Sequence, residues 1–409
     1  MKIQSLKLTN HPVFKKNSTF TFFEQTETAI PKIFFLVGDN GAGKTQILDA
    51  LHYSSSVERH TVTYKAETGF KTTPYVYEQV KQYYSSIEIN FKNSEVTNIT
   101  SSNTKEDELI FEKSDSIDKI IPQLLIDINS HDNSEIASWV KLNPNCIPNL
   151  DQMNIKLKRF TNAFDKMYDG SKKFKKISLV DHQYVVLFED SEGKEVKLDD
   201  LSTGEKQIIF RIGDILKNLN SLNGAIVLID EPETSLHPKW QQKYVQFLLD
   251  IFKDKDVQII IATHSPYILK GLKEDESVCL KVNRNQNEIA EKIGYLPNTT
   301  SKPSLNLINY YAYGVFDESL HIELFDAVMF KFNKDFGPMN HELLIRGIRD
   351  ATPFNTTVRS EKYKTIGTLV TETLPICIRN KTHHPIETAR SYTQQELKES
   401  IEILLNLLQ

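Results

Sequence analysis

Gly38-Asp39-Asn40-Gly41-Ala42-Gly43-Lys44-Thr45 fills every fixed position of the phosphate-binding pattern G-x-x-x-x-G-K-[ST]. Just before it, Ile33-Phe34-Phe35-Leu36-Val37 is a short apolar run of the kind that makes a strand buried on both faces. Gln46-Ile47-Leu48-Asp49-Ala50-Leu51 follows and can continue as a helix. Strand, glycine loop and helix together form the context that gives the motif meaning. The glycines keep Cβ atoms out of the loop, so successive N–H groups can point at phosphate oxygens, and the helix N-terminus adds partial positive charge. The pattern predicts ATP and Mg²⁺ as cofactors. Asn40, Gly41, Gly43 and Lys44 would surround the phosphates, and the Thr45 hydroxyl would hold the metal.

The chain has 409 residues, enough for one large or two medium domains. Alternating residues through Leu8, through Phe20-Thr21-Phe22 and through Ser86-Ile87-Glu88-Ile89-Asn90-Phe91 predict strands. Residues 104–176 change texture and predict a modest helical insertion, too short for long coiled-coil arms. Strands are predicted again at Ile177–Val180 and Tyr184–Phe188, with a turn at Ser191-Glu192-Gly193. Ala225–Ile229 is fully apolar and Val257–Ile261 is apolar apart from Gln258, and a helix opening at Pro238 lies between them. That order predicts a right-handed parallel unit. Beyond Asn283 the chain reads as mainly helical. The expected divisions are therefore 1–103, 104–176, 177–282 and 283–409. The fold class is α/β, a mixed sheet with flanking helices, a helical insertion and a helical C-terminal region.

Bulk properties exclude several classes. No segment reaches the apolar length of a membrane span, and the N-terminus lacks the apolar core of a signal peptide. The three cysteines, Cys146, Cys279 and Cys377, are isolated, which predicts a reducing, cytoplasmic setting and no disulfide framework. A net charge of −5 gives no whole-protein attraction to nucleic acid. One local patch keeps that partner open: Lys156, Lys158, Arg159, Lys166, Lys172, Lys173, Lys175 and Lys176, interleaved with Phe160, Phe164, Tyr168 and Phe174. The same run also reads as a solvated face whose aromatics point into a core.

Four further features follow the phosphate loop in a telling order. Leu201-Ser202-Thr203-Gly204-Glu205-Lys206-Gln207 resembles the signature loop of ABC-type ATPases, and Asp230-Glu231 at the end of an apolar strand resembles their Walker B pair. Ser235-Leu236-His237-Pro238 sits where such proteins carry a D-loop, and Thr263-His264-Ser265-Pro266 where they carry the switch histidine. The resemblance implies that Ser202 and Gly204 serve the nucleotide of a second copy. It also implies that Asp230 orients Mg²⁺, that Glu231 activates water, and that His264 contacts the terminal phosphate. The partner implied is a homodimer or higher homo-oligomer with composite ATP sites. Ile229-Asp230-Glu231-Pro232-Glu233 with the following Leu236-His237-Pro238 resembles the OLD-like ATPases, the AAA_15–AAA_21 group of bacterial anti-phage defence systems. That group implies an effector encoded nearby and no membrane partner. OLD-type enzymes carry a metal-dependent nuclease domain, and no acidic set of that kind follows Ser277–Val282.

In the C-terminal region, Arg379-Asn380-x-x-x-His384 matches the R-x(4–6)-H pattern of HEPN ribonucleases. That resemblance implies metal-independent cleavage of RNA, with His384 moving the 2′-hydroxyl proton and Arg379 stabilising the phosphorane. The same residues read equally as a helix end or a subunit contact. Downstream, Thr393 and Glu396 form a capping box, Tyr392 and Leu397 a hydrophobic staple, and Leu397, Ile401, Leu404 and Leu408 an apolar stripe. Four functions stay open on these residues: an ATP-controlled defence sensor, an ATPase regulating its own ribonuclease, a scaffold holding a separate effector, and a genome-maintenance ATPase.

Overall fold

The computed structural model describes residues 3–9, 14, 17–23, 30–57, 86–91, 98–102, 117–150, 153, 155–180, 183–218, 225–270, 277–282, 290–292, 304–348, 354–355, 369–370, 372–386 and 390–408. The chain divides into two compact units, Met1–Ile293 and Gly294–Gln409. The first begins with β1 (Ile3–Thr9), β2 (Asn17–Thr21), β3 (Ile33–Val37), α1 (Lys44–Val57), β4 (Ser86–Phe91) and β5 (Asn98–Ser102). Next come α2 (Ile117–Leu142), α3 (Lys156–Met167), β6 (Lys172–Val180), β7 (Gln183–Asp190) and β8 (Glu195–Lys197). It closes with α4 (Thr203–Asn218), β9 (Ala225–Asp230), α5 (Pro238–Ile251), β10 (Val257–Ala262), the short α6 (Pro266–Leu269), β11 (Ser277–Val282) and β12 (Ala290–Lys292).

The central sheet runs β12-β11-β3-β10-β9-β5. The pairs from β11 to β5 are parallel, and β12 adds an antiparallel edge. Parallel strands need covering on both faces, and every residue of β3, which is wholly apolar, and of β10, apolar apart from Gln258, is buried. A core of Phe34, Leu36, Ile226, Leu228 and Ile260 packs on Ile47 and Leu51 of α1. Each such side chain contributes about 1.5–3 kcal/mol when fully buried. A small antiparallel sheet, β2-β1-β4, extends this core through Ile3, Leu6 and Phe20. Gln258, fully buried on β10, ties the two sheets together: it accepts the Ile3 N–H at 2.6 Å and donates to the Ile3 carbonyl at 2.9 Å.

Two details differ from the sequence reading. Lys172–Lys176 is not the end of a helical insertion; it begins β6, in the three-stranded sheet β6-β7-β8. Phe174 meets Phe188 edge-on at 5.9 Å while Lys173 and Lys175 face outward, so the period is two. β5, whose sequence is polar, also escaped prediction, because a strand at a sheet edge does not need an apolar run. The expected turn at Ser191–Gly193 is present. Asp190 Oδ1 accepts the N–H groups of Glu192 and Lys194, and Gly193 takes φ +80°.

The second unit contains α7 (Leu305–Tyr313), α8 (Glu318–Phe332), α9 (Phe336–Ile345), β13 (Phe354–Asn355), β14 (Leu369–Val370), α10 (Leu374–His383) and α11 (Gln394–Leu408). Its core joins Leu320, Leu324 and Val328 of α8 with Leu374 and Ile378 of α10 and with Leu397, Ile401, Leu404 and Leu408 of α11. The capping box forms: Thr393 N–H donates to Glu396 Oε2 at 2.9 Å and Glu396 N–H to Thr393 Oγ1 at 3.2 Å. No helix among the described residues is long and apolar enough to cross a membrane.

Candidate ATP site

Register brings the site together. Ala262 of β10 lies opposite Leu36 of β3 on one side and Asp230 of β9 on the other. The three chains therefore leave the sheet at one level, which places the phosphate loop, Glu231 and Thr263-His264 at the carboxyl ends of adjacent strands. In parallel α/β sheets ligands bind at that edge.

The loop itself is built for backbone approach. Gly38, Gly41 and Gly43 take φ of +138°, +75° and +105°, a region that penalises side chains. A Cβ on Gly38 would stand 2.7 Å from the Val282 carbonyl oxygen of β11. Lys44, 5% exposed, donates from Nζ to the Gly38 carbonyl at 2.9 Å and to the Asp39 carbonyl at 3.1 Å. Burial lowers its pKa, against the opposing pull of Glu231 and Asp230. A phosphate placed over the loop would restore the ammonium's lost solvation. Asn40 and Gly41 are exposed and Thr45 is half-buried at the start of α1. A glycine cradle, an ammonium and a neighbouring carboxylate pair fit a magnesium-bound nucleoside triphosphate.

Asp230 is buried at the end of β9. Glu231 follows at φ +43°, a left-handed conformation that costs on the order of 1–3 kcal/mol in a non-glycine residue. Three bonds hold it there: its N–H donates to the Ala262 carbonyl at 2.9 Å, and its carbonyl accepts from the Thr234 N–H at 3.2 Å and from Arg211 of α4 at 3.3 Å. The bend turns the carboxylate toward the switch histidine, with His264 Nε2 3.7 Å from Glu231 Oε1. Burial, and after it the charge of Lys44, lower the His264 pKa below its ordinary 6.5, so the imidazole is neutral at pH 7.

The signature segment opens α4. Ser202 N–H and Oγ–H both donate to Glu205 Oε2 at 2.7 Å, and Lys172 of β6 bonds the other carboxylate oxygen. Gly204 packs on the D-loop, where a Cβ would lie 2.5 Å from the Ser235 carbonyl oxygen. The glycine is therefore needed for a close backbone approach within the chain. Ser235, like Glu231, has positive φ, +62°.

Three aromatics of the basic segment face inward, while Lys173, Lys175 and Lys176 are exposed. Phe160, Phe164 and Tyr168 are buried and join Phe188, Phe247 and Trp240 in an aromatic core. Lys156 is buried, Lys166 pairs with Asp250, Lys175 with Glu189 and Glu195, and Arg159 donates to the Ile251 and Lys253 carbonyls.

At the C-terminal pair, the Arg379 guanidinium lies 4.0 Å over the Phe336 ring, while His384 is exposed at the end of α10. His384 is the cap residue beyond the last helical turn, at φ −126° and ψ 64°. Asn380, between them, donates to Glu372, which also binds Arg390 at 2.8 Å.

In the sequence, Glu233 stands out only within the Ile229–Glu233 run, and nothing singles out Gln241. Glu233 accepts His264 N–H at 2.6 Å and Thr263 Oγ1–H at 2.8 Å. Its position two residues after Glu231 was a local signal for this role. Gln241 carried none.

A parallel sheet with a phosphate loop, an acidic pair and a histidine at its carboxyl edge defines a P-loop nucleotide-binding fold. Residues 33–270, more than half of the chain, match the family AAA_21, described as "AAA domain, putative AbiEii toxin, Type IV TA system", and the chain belongs to that family. It is 33% identical over 186 residues to the Retron Vc95 probable ATPase of Vibrio cholerae serotype O1 biovar El Tor, a stretch covering 42% of this chain and 33% of that protein. It is 30% identical over 183 residues to the Septu protein PtuA of Bacillus mycoides (strain KBAB4), covering 43% of this chain and 24% of that one. The match thus spans about a third or less of these relatives' length. Among solved structures, the SMC head domain from Thermotoga maritima superposes with a TM-score of 0.41 at 14% identity, covering 72% of this chain and 100% of that one.

Proposed function

We propose that this chain hydrolyses ATP, that two copies close head to tail around the nucleotide, and that this cycle makes it the sensor or regulator of a bacterial anti-phage defence system. One observation carries the reading: Lys44, Glu231 and His264 converge at one sheet edge, while Ser202 is exposed at the start of α4. A chain so arranged offers half of a site and needs a second copy to face it. The retron and Septu names of its relatives supply the setting.

ATP with Mg²⁺ supplies the phosphoryl group and its charge; Thr45 and Asp230 would hold the metal. Asn40, Gly41 and Gly43 present backbone N–H groups, and Lys44 offsets phosphate charge at low solvent exposure, where its field is strongest. Glu231 is the base positioned for water, and His264, neutral, can donate a hydrogen bond to a terminal phosphate oxygen. Ser202 Oγ and the α4 N-terminus at Gly204 would close over the phosphates of the facing copy.

Glu231→Gln removes the base but keeps the side-chain shape. Sedimentation velocity with ATP and Mg²⁺ should show a persistent dimer of this variant, with turnover lost, whereas wild type with ADP should not dimerise. If the wild-type chain neither turns over ATP nor changes its association state with nucleotide, the reading is wrong.

A further inference from the structure

Glu233 and Gln241 lie outside the roles just assigned, yet between them they tie the D-loop to the switch segment. Glu233 takes one donor on each carboxylate oxygen, the His264 N–H on Oε1 and the Thr263 hydroxyl on Oε2. Thr263 Oγ1 in turn accepts the Ser265 N–H at 2.9 Å. Ser265 Oγ donates to Gln241 Oε1, and Gln241 Nε2 returns to the D-loop at the Leu236 carbonyl, 2.8 Å away, and more weakly to the Glu233 carbonyl at 3.4 Å. The circuit closes on itself. It joins 233–236 to 263–265 just past the end of β10, where the Thr263 N–H also donates to the Leu36 carbonyl of β3 at 3.1 Å.

Ordinary capping explains only part of this. Ser265 Oγ caps the short α6 by accepting from Tyr267 and Ile268, and that cap needs neither Glu233 nor Gln241. The carboxylate instead grips the backbone N–H of the switch histidine itself. Given the hydrolytic reading above, on which this inference rests, we propose that Glu233 is a positioning residue. Its carboxylate, braced by Thr263 and Gln241, fixes the His264 backbone so that the imidazole faces Glu231. Because the same circuit includes the D-loop, any displacement of 233–236 is passed to His264.

The test is steady-state ATP hydrolysis by the full chain. Glu233→Ala should lower kcat about 10- to 100-fold, the scale of a misplaced catalytic group, with KM for ATP within about threefold of wild type. Glu233→Gln keeps an acceptor for His264 and a polar partner for Thr263, so its kcat should stay within about threefold of wild type. Adding His264→Ala to Glu233→Ala should cost little more than either alone, since both remove one function. Thr263→Val serves if Glu233→Ala does not fold, and should lower kcat in the same direction. Wild-type kcat in Glu233→Ala, or in Thr263→Val where that variant serves instead, overturns the inference, as does a change in KM alone. Glu233→Gln as inactive as Glu233→Ala also overturns it, because the charge would then act directly. An inactive wild type removes the proposed function and this inference together; an active wild type with an unaffected Glu233→Ala removes the inference alone.

Discussion

At the scale of single residues, the site depends on backbone conformations as much as on side-chain chemistry. Gly204 has no left-handed φ to explain it; its reason is the Ser235 carbonyl, 2.5 Å from where a Cβ would stand. Neither neighbour is a flexible side-chain tip, so α4 or the D-loop must shift. Gly204→Ala should abolish the ATP-dependent dimer while leaving nucleotide binding to the single chain within about threefold, a split that fluorescent-nucleotide titration and sedimentation would separate. His264 predicts a pH response. Its titration is displaced below 6.5 by burial and Lys44, so the neutral form is retained from pH 8 down through 6.5. Below that it gains a proton and no longer offers a neutral donor beside Lys44. The kcat profile should be flat above pH 6.5 and fall on the acid side, and a rise there would contradict the assignment.

At the scale of elements, two buried polar groups hold helices in place. Asp132 of α2 accepts the N–H groups of Lys156 and Leu157 at 3.1 and 2.9 Å, acting as a remote N-cap for α3, whose own cap residue is Ile155. Burial raises its pKa while these donors oppose the shift. Asp132→Ala should destabilise the chain by about 1–2 kcal/mol in chemical denaturation, and Asp132→Asn by less. In the second unit, His321 of α8 is fully buried against Ser400 of α11, with Nε2 2.9 Å from the hydroxyl. Burial lowers its pKa to about 3 from the ordinary 6.5. The unfolded chain therefore binds a proton that the folded chain refuses. This group's contribution is complete above pH 6.5 and is lost as pH falls from there toward 3, by up to about 1.4 kcal/mol per pH unit. His321→Gln should show a shallower decline in melting temperature between pH 7 and pH 5.

At the scale of the whole molecule, charge and association decide the behaviour. The chain carries −5, and much of the lysine-rich segment is engaged with carboxylates, carbonyls or the core. Duplex DNA should therefore bind no better than typical non-specific affinity, about 10⁻⁴–10⁻⁶ M at physiological salt, and should not accelerate ATP turnover. Strong stimulation with a steep salt dependence would favour a genome-maintenance role instead. The dimer proposed to be trapped by Glu231→Gln belongs to this scale too: with half a site in each copy, turnover should rise with chain concentration, which an activity titration checks.

The sequence by itself determined the strand–loop–helix at 33–51, the largely apolar strands at 225–229 and 257–261, and the residues that follow their ends. Long unbroken apolar runs have one stable use in a parallel sheet, and fixed glycines have one use in a phosphate loop. It also located the stripe of α11 and its capping box, which are local interactions. It could not show that Lys172 begins a strand, because alternation there is masked by a run of lysines. That Phe160, Phe164 and Tyr168 point into a core is one of the two readings the sequence allows, and partners on β7 and α5 decide for it. The meeting of Glu231 with His264, the grip of Glu233 on the switch segment and the return of Gln241 to the D-loop were decided only by tertiary structure. They connect residues that are close only because β9 and β10 pair in one register and end at one level.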